Sequence, residues 1–102
     1  MKDYLQDLNK AFESRVRLGI MSALMVNEYL DFNALKELLD VTDGNLASHT
    51  RALETEKFIR MEKSFVGRKP NTRFLITPEG RLAFERHIAA LEKLVEEMRE
   101  QG

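Results

Sequence analysis

Apolar residues recur at helical spacing through most of the chain and give way to alternation only between residues 58 and 76. Residues 3–12 set Leu5, Leu8 and Phe12 on one side, which predicts a short amphipathic helix. Residues 15–27 carry Val16, Ile20, Met21, Leu24 and Met25 as a broad apolar face, the expected floor of the core, with Ser14 as N-cap. Gly19 inside this helix costs roughly 1 kcal/mol of propensity relative to Ala, so either a neighbouring helix packs closely there or the cost is simply tolerated. Residues 29–32 are short and β-prone at their ends, an expected small edge strand. A helix capped by Asn33 follows, with Leu35, Leu38 and Leu39 on one face. Asp40 and Val41 make a tight turn. Thr42 then caps a further helix whose first turn holds Asp43, where the helix dipole favours negative charge.

In the alternating stretch, residues 58–65 place Ile59, Met61 and Phe65 inward and Arg60, Glu62 and Ser64 outward. Lys63 interrupts the inward series and is placed near a tip leaving the core. The turn cluster around Gly67, Pro70 and Asn71 returns the chain to a second strand over 72–76, with Phe74 and Ile76 inward. Thr77, Pro78 and Glu79 supply cap, first helical position and first-turn acid for a helix to about residue 100. Its residues Phe84, Ile88, Leu91, Val95 and Met98 are spaced four, three, four and three apart, a heptad seam that Leu94 widens. Such a helix is ~30 Å long at 1.5 Å per residue, more than a domain of this size can cover with its own core. The free end calls for a partner, and a second copy through Leu5, Leu8, Ile88, Leu91, Leu94, Val95 and Met98 is the simplest.

The expected architecture is mainly α with a small β-hairpin, a single domain over 1–102. Residues 12–79 form its core, and 1–11 and 80–102 are helices for dimerisation. The 102 residues suffice for one core and not for two. No cysteine is present, which excludes disulfide scaffolds and thiolate-bound zinc or iron–sulfur sites. The charge-alternating N-terminus does not read as a signal peptide. The longest apolar run, 18–26, falls short of the ~20 residues that span a bilayer. A cytoplasmic protein without membrane contact is the expectation.

A net charge of −1 conceals a strong asymmetry. Residues 51–73 hold seven basic and three acidic side chains, a local +4, while the remainder balances at −5. One basic face on an otherwise acidic molecule is the footprint of a patch that meets phosphates. The helix from Asp43 adds a second signal. Leu46, Thr50, Leu53 and Lys57 fall along one stripe suited to a core edge, and Gly44, Asn45, Ser48, Arg51, Ala52 and Thr55 make the opposite one. That second stripe is small, hydrogen-bonding or cationic and holds no acid. Asn can pair with adenine, Arg with guanine, and small residues allow close approach to base edges. The pair of helices across the Asp40-Val41 turn reads as a helix-turn-helix whose second helix enters a DNA groove.

Five stretches resemble the small stand-alone winged helix-turn-helix regulators of the MarR/ArsR superfamily: RLGIMSAL at 17–24, DFNALK at 31–36, TDGNL at 42–46, EKSFVGRKP at 62–70 and TPEGR at 77–81. The resemblance covers about 12–84. It implies DNA contacts from Asn45, Ser48, His49 and Arg51 on the recognition helix and from Arg68 and Lys69 on the wing, with dimerisation through the terminal helices. Lys63 and Arg73 join the candidate DNA-binding set as cations of the same hairpin. Many relatives have Pro where this chain has Arg15, and metal-sensing relatives carry a cysteine pair that is absent here.

For His49, on the flank between the two stripes, a phosphate contact and a half-buried packing role stand as alternatives. His87, beside Glu85 and Arg86, lacks the second histidine at i+4 that a metal site would use, and reads as a packed residue. Tyr4 and Tyr29 read as core. No activated nucleophile, phosphate-cradling loop or convergent carboxylates point to an enzyme, and no cofactor is implied. The expected function is sequence-specific binding to double-stranded DNA by a homodimeric transcriptional regulator, a repressor on a palindromic operator. The alternative is a winged helix whose basic wing meets an acidic protein. A small-molecule effector is not indicated and would have to fit between the terminal helices and the core.

Overall fold

A computed structural model describes residues 1–101; Gly102, the end of the segment assigned to dimerisation, lies outside the described residues. Five helices and three strands follow in order: α1 (Lys2–Asp7), α2 (Arg15–Met25), β1 (Leu30–Asp31), α3 (Phe32–Leu39), α4 (Asp43–Thr55), β2 (Ile59–Val66), β3 (Lys69–Ile76) and α5 (Pro78–Gln101). The architecture is mainly α with a three-stranded antiparallel sheet in the order β1-β3-β2, so the β2–β3 hairpin is a wing with β1 on its other edge.

Most helix starts carry the caps that their sequences suggest. The Ser14 hydroxyl accepts from the Arg17 N–H at 3.3 Å, Thr42 from Asn45 at 3.2 Å and Thr77 from Gly80 at 2.8 Å. For α3 the expectation fails by two residues. Asp31, not Asn33, is the cap, its carboxylate accepting from Ala34 N–H at 2.8 Å, because Leu30 and Asp31 are pinned to Phe74 and Arg73 of β3. The N-terminal helix is also not continuous to Phe12. It stops at Asp7 and resumes as a single 3-10 turn over Lys10–Phe12, capped by Asn9. α2 ends at Met25, two residues earlier than the periodicity suggests.

The core gathers Phe12, Ile20, Met21, Leu24, Leu35, Leu46, Leu53, Ile59, Phe74 and Phe84. Phe12 is its hub, with ring centroids 5.2 Å from Phe58 and 5.1 Å from Phe84, the latter edge-on. Gly19 has a packing reason: a Cβ there would lie 2.6 Å from Leu39 Cδ2, so α3 lies directly against α2 at that point. Four inward assignments are corrected. Leu38, Met61 and Phe65 are exposed, and Lys57 follows α4 in the left-handed region at φ 64°. Lys57 donates its N–H to Glu54 and Phe58 donates to Leu53, a Schellman closure that ends α4 and turns the chain into β2. Met61 and Phe65 keep the register of Ile59, but cover falls away toward the tip of the hairpin, from Ile59 at 2% exposure to Met61 at 41% and Phe65 at 73%.

The joint between α4 and α5 is tight. The Thr77 hydroxyl donates to the Lys57 carbonyl at 2.7 Å with that of Phe58 as second acceptor at 3.0 Å, and the Thr77 N–H also donates to Phe58. The end of one helix and the start of the other are therefore tied together through the Lys57 and Phe58 carbonyls.

His87 is buried on α5, edge-on to Phe12, its Nδ1 accepting the Asn9 N–H at 3.0 Å. That bond needs the neutral ring. Burial lowers its pKa below 6.5, and Glu13 opposes this only in part. The unfolded chain therefore binds the proton more readily, so this contribution to stability is complete above pH 6.5 and is lost as pH falls below it. Thermal melts from pH 7.5 to 5.5 should show falling stability, and His87→Gln, whose amide oxygen can still accept from Asn9, should flatten part of the slope. His49, lowered in the same direction, should account for a further part that His49→Gln removes.

Candidate nucleic-acid interface

α4 buries Leu46, Thr50 and Leu53 and leaves Gly44, Asn45, Ser48, Arg51 and Thr55 exposed, so the two stripes expected of it face opposite ways. Thr42 anchors the first turn through the Asn45 backbone, leaving the Asn45 amide free for another partner. Asp43, the acid of this turn, is paired with Lys36 of α3 at 2.7 Å. Arg51 forms no ion pair among the described residues.

His49 is half-buried, and its Nδ1 accepts from Nε of Arg17 on α2 at 3.2 Å. Desolvation first, and then the Arg17 charge, lower its pKa, so the ring is neutral beside this guanidinium. Arg17 is a member of this surface that spacing did not identify. Its place beside α4 depends on the crossing of α2 and α4, which no local pattern encodes.

The wing supplies the remaining cations. Gly67 at φ 65° is the first central residue of the two-residue turn between Val66 and Lys69, the place where a hairpin of type II′ takes glycine. Lys63, Arg68 and Lys69 are exposed and unpaired among the described residues. Arg73 differs from them. Its guanidinium lies 3.0 Å from Glu62, itself 3.2 Å from Arg60, and 4.3 Å above the Tyr29 ring. Tyr29 is therefore an exposed stacking partner and not the core residue expected. Arg73 and Arg60 share one carboxylate at the base of the hairpin, and the free positive charge lies toward its tip.

These are the parts of a winged helix-turn-helix: a bracing helix α3, a protruding polar helix α4 and a cationic hairpin. The model of the family described as winged helix DNA-binding domain matches residues 16–95. The chain belongs to this family. It is 43% identical over 79 residues to an uncharacterized protein of Methanocaldococcus jannaschii, covering 78% of this chain and 86% of the relative. A transcriptional regulator homologue from Pyrococcus horikoshii OT3 superposes with a TM-score of 0.87 at 29% identity, covering 96% of this chain and 98% of that one. A MarR-family regulator from Silicibacter pomeroyi shares the fold at a TM-score of 0.67 and 20% identity, over 96% of this chain and 68% of its own. The chain thus carries a winged-helix DNA-binding domain, and the two solved structures named above are a transcriptional regulator homologue and a transcriptional regulator.

No cluster of three or more metal-ligating side chains occurs among the described residues, and no helix there is long and apolar enough to cross a membrane. Along α5, Leu91, Val95 and Met98 are exposed on one stripe, Ile88 and Leu94 are half-buried, and Leu5 of α1 is exposed where Leu8 is half-buried. A groove of 440 Å³ between α2 and α5, lined by Met25, Phe84 and Ile88, continues into one of 350 Å³ along Leu91 and Val95.

Proposed function

We propose that the chain is a homodimeric, sequence-specific transcriptional repressor of the cytoplasm that occupies a roughly palindromic operator and blocks polymerase. Asn45, Ser48 and Arg51 read base edges in the major groove, with His49 and Arg17 on the flank of the same helix. Lys63, Arg68 and Lys69 engage phosphates or the flanking minor groove, and Arg73 supports the wing base through Glu62. Two copies joined through the α1–α5 ends set the recognition helices one turn of DNA apart, ~34 Å. The observation that carries this reading is the pairing of an exposed, acid-free stripe on α4 with three unpaired cations on the adjacent hairpin.

The test is enrichment of bound fragments from genomic DNA followed by titration of variants on the enriched site and on random duplex. Asn45→Ala and Arg51→Ala should each weaken the enriched site ~10- to 100-fold, as for loss of 1–3 kcal/mol, and leave random DNA nearly untouched. Arg68→Ala with Lys69→Ala should weaken both alike and reduce the slope of log affinity against log salt by about two. Absence of any shifted band at low salt would instead favour docking of the basic wing on an acidic protein.

A further inference from the structure

The wing carries an apolar group that a purely electrostatic clamp does not need. Phe65 is 73% exposed, Val66 next to it 67%, and Met61 41%, all on one hairpin. Phe65 stands opposite Pro70 in the register, two positions beyond the pair Lys63 and Thr72 and on the sheet face that carries Ile59 and Phe74 into the helical body. The face that holds Phe65 is thus the one turned toward the helices, α4 included. Around it the charge has one sign. Residues 63–72 contain Lys63, Arg68 and Lys69 and no acid.

The apolar stripe of α5 has a different border, with Glu92, Glu96 and Arg99, charges of both signs, beside Leu91 and Val95. A border of both signs is compatible with a second copy of this chain, whereas the one-signed border of the wing suits a polyanion. An exposed aromatic side chain on a protruding hairpin, with Lys63 on its own face and Arg68 and Lys69 at the adjoining turn, matches the way apolar side chains enter the minor groove, where they part a base step while neighbouring cations hold the phosphates. We infer that Phe65 is a wedge that unstacks a base step beneath the wing and kinks the duplex there, with Lys63, Arg68 and Lys69 on the adjoining phosphates. This rests on the DNA-binding reading above and adds indirect readout to it. Pyrimidine–purine steps, which part most easily, are preferred at the wing position although no side chain reads their edges.

Permanganate oxidation of thymines that have lost stacking, together with energy transfer between dyes at the two ends of an enriched duplex, tests the wedge. The wild-type complex should show a reactive thymine on each side of the recognition-helix footprint and a shortened end-to-end distance. Phe65→Ala should abolish both, weaken binding ~10- to 100-fold as for loss of an aromatic–base stack, and keep the salt slope. Phe65→Leu should retain the kink. The side chain is exposed, so the melting temperature of the free protein should stay unchanged in both variants. A bound wild-type complex with no reactive thymine, or a kink that survives Phe65→Ala, overturns the wedge while leaving DNA binding intact. Failure of the wild-type protein to bind any duplex overturns the parent reading instead.

Discussion

Gly80→Ala is expected to lower the melting temperature by roughly 12 °C or more, as for an overpacking penalty of about 3 kcal/mol in a domain of this size. A Cβ on Gly80 would lie 1.9 Å from the Phe58 carbonyl oxygen and 2.7 Å from its carbon. The obstacle is backbone, so no rotamer change relieves it. That same carbonyl is held by Thr77, whose hydroxyl also caps the first turn of α5. To admit one methyl group, the start of α5 must lift away from the end of α4, breaking the cap or the link to Phe58. Gly44→Ala is the control. It places the same methyl in a helix with nothing within 4 Å, where alanine should be neutral or stabilising by up to ~1 kcal/mol. Differential scanning calorimetry at one fixed protein concentration distinguishes the two, and equal melting temperatures would show that the α4–α5 joint is not rigid. Because this joint relates the recognition helix to the proposed dimer helix, the glycine variant should also lose operator binding at temperatures where it remains folded.

Leu91→Glu with Val95→Glu should convert the protein to monomers and lower operator affinity ~100-fold or more, since a second half-site then binds without the benefit of linkage. The molecule extends 58 × 25 × 21 Å with a radius of gyration of 15.5 Å, against about 13 Å for a compact chain of this length. α5 runs for 24 residues, and its outer half displays Leu91, Val95 and Met98 to solvent at 37%, 43% and 69% exposure. Full burial of such a side chain is worth ~1.5–3 kcal/mol, so covering the exposed parts of these three on two chains contributes roughly 4–9 kcal/mol, which matches the lower part of an association cost of roughly 4–15 kcal/mol. Four carboxylates placed in that seam would have to be desolvated next to one another, which opposes pairing strongly. Sedimentation equilibrium should give twice the 11.8 kDa chain mass for the wild type and the single mass for the variant. Both substituted residues are exposed in the monomer, so its fold should persist. A wild type that sediments as a monomer at micromolar concentration while still protecting a palindromic site would remove the dimer from the proposal.

The elements most legible in the sequence were those governed by contacts along the chain. The caps Ser14, Thr42 and Thr77 and the opposed stripes of α4 follow from spacings of three and four residues, and the structure has them at these positions. The hairpin followed from alternation, but its turn is only residues 67–68: Pro70 and Asn71, expected in the turn, pair with Phe65 and Ser64 inside β3, which starts at Lys69 and not at residue 72. The misreadings share a different cause. Asn33 and Asp31 are both good caps, and the choice fell to Asp31 because β3 holds Leu30 and Asp31 in extended form. Met61 and Phe65 continue the inward register of Ile59, and only the reach of the helices beneath the sheet decides that they stay exposed. Arg73 has the same composition signal as Arg68, and Glu62 and Tyr29 separate the two in space.

By itself the sequence determined that this chain forms a helix-turn-helix followed by a cationic hairpin and a long amphipathic helix, because periodicity, caps and turn residues act within one or two turns of backbone. The tertiary structure decided which cations remain free, which apolar residues lack a cover and why Gly80 admits no side chain. Those properties depend on atoms brought together from distant parts of the chain, and the distances and dielectric surroundings that set them arise only when the elements pack.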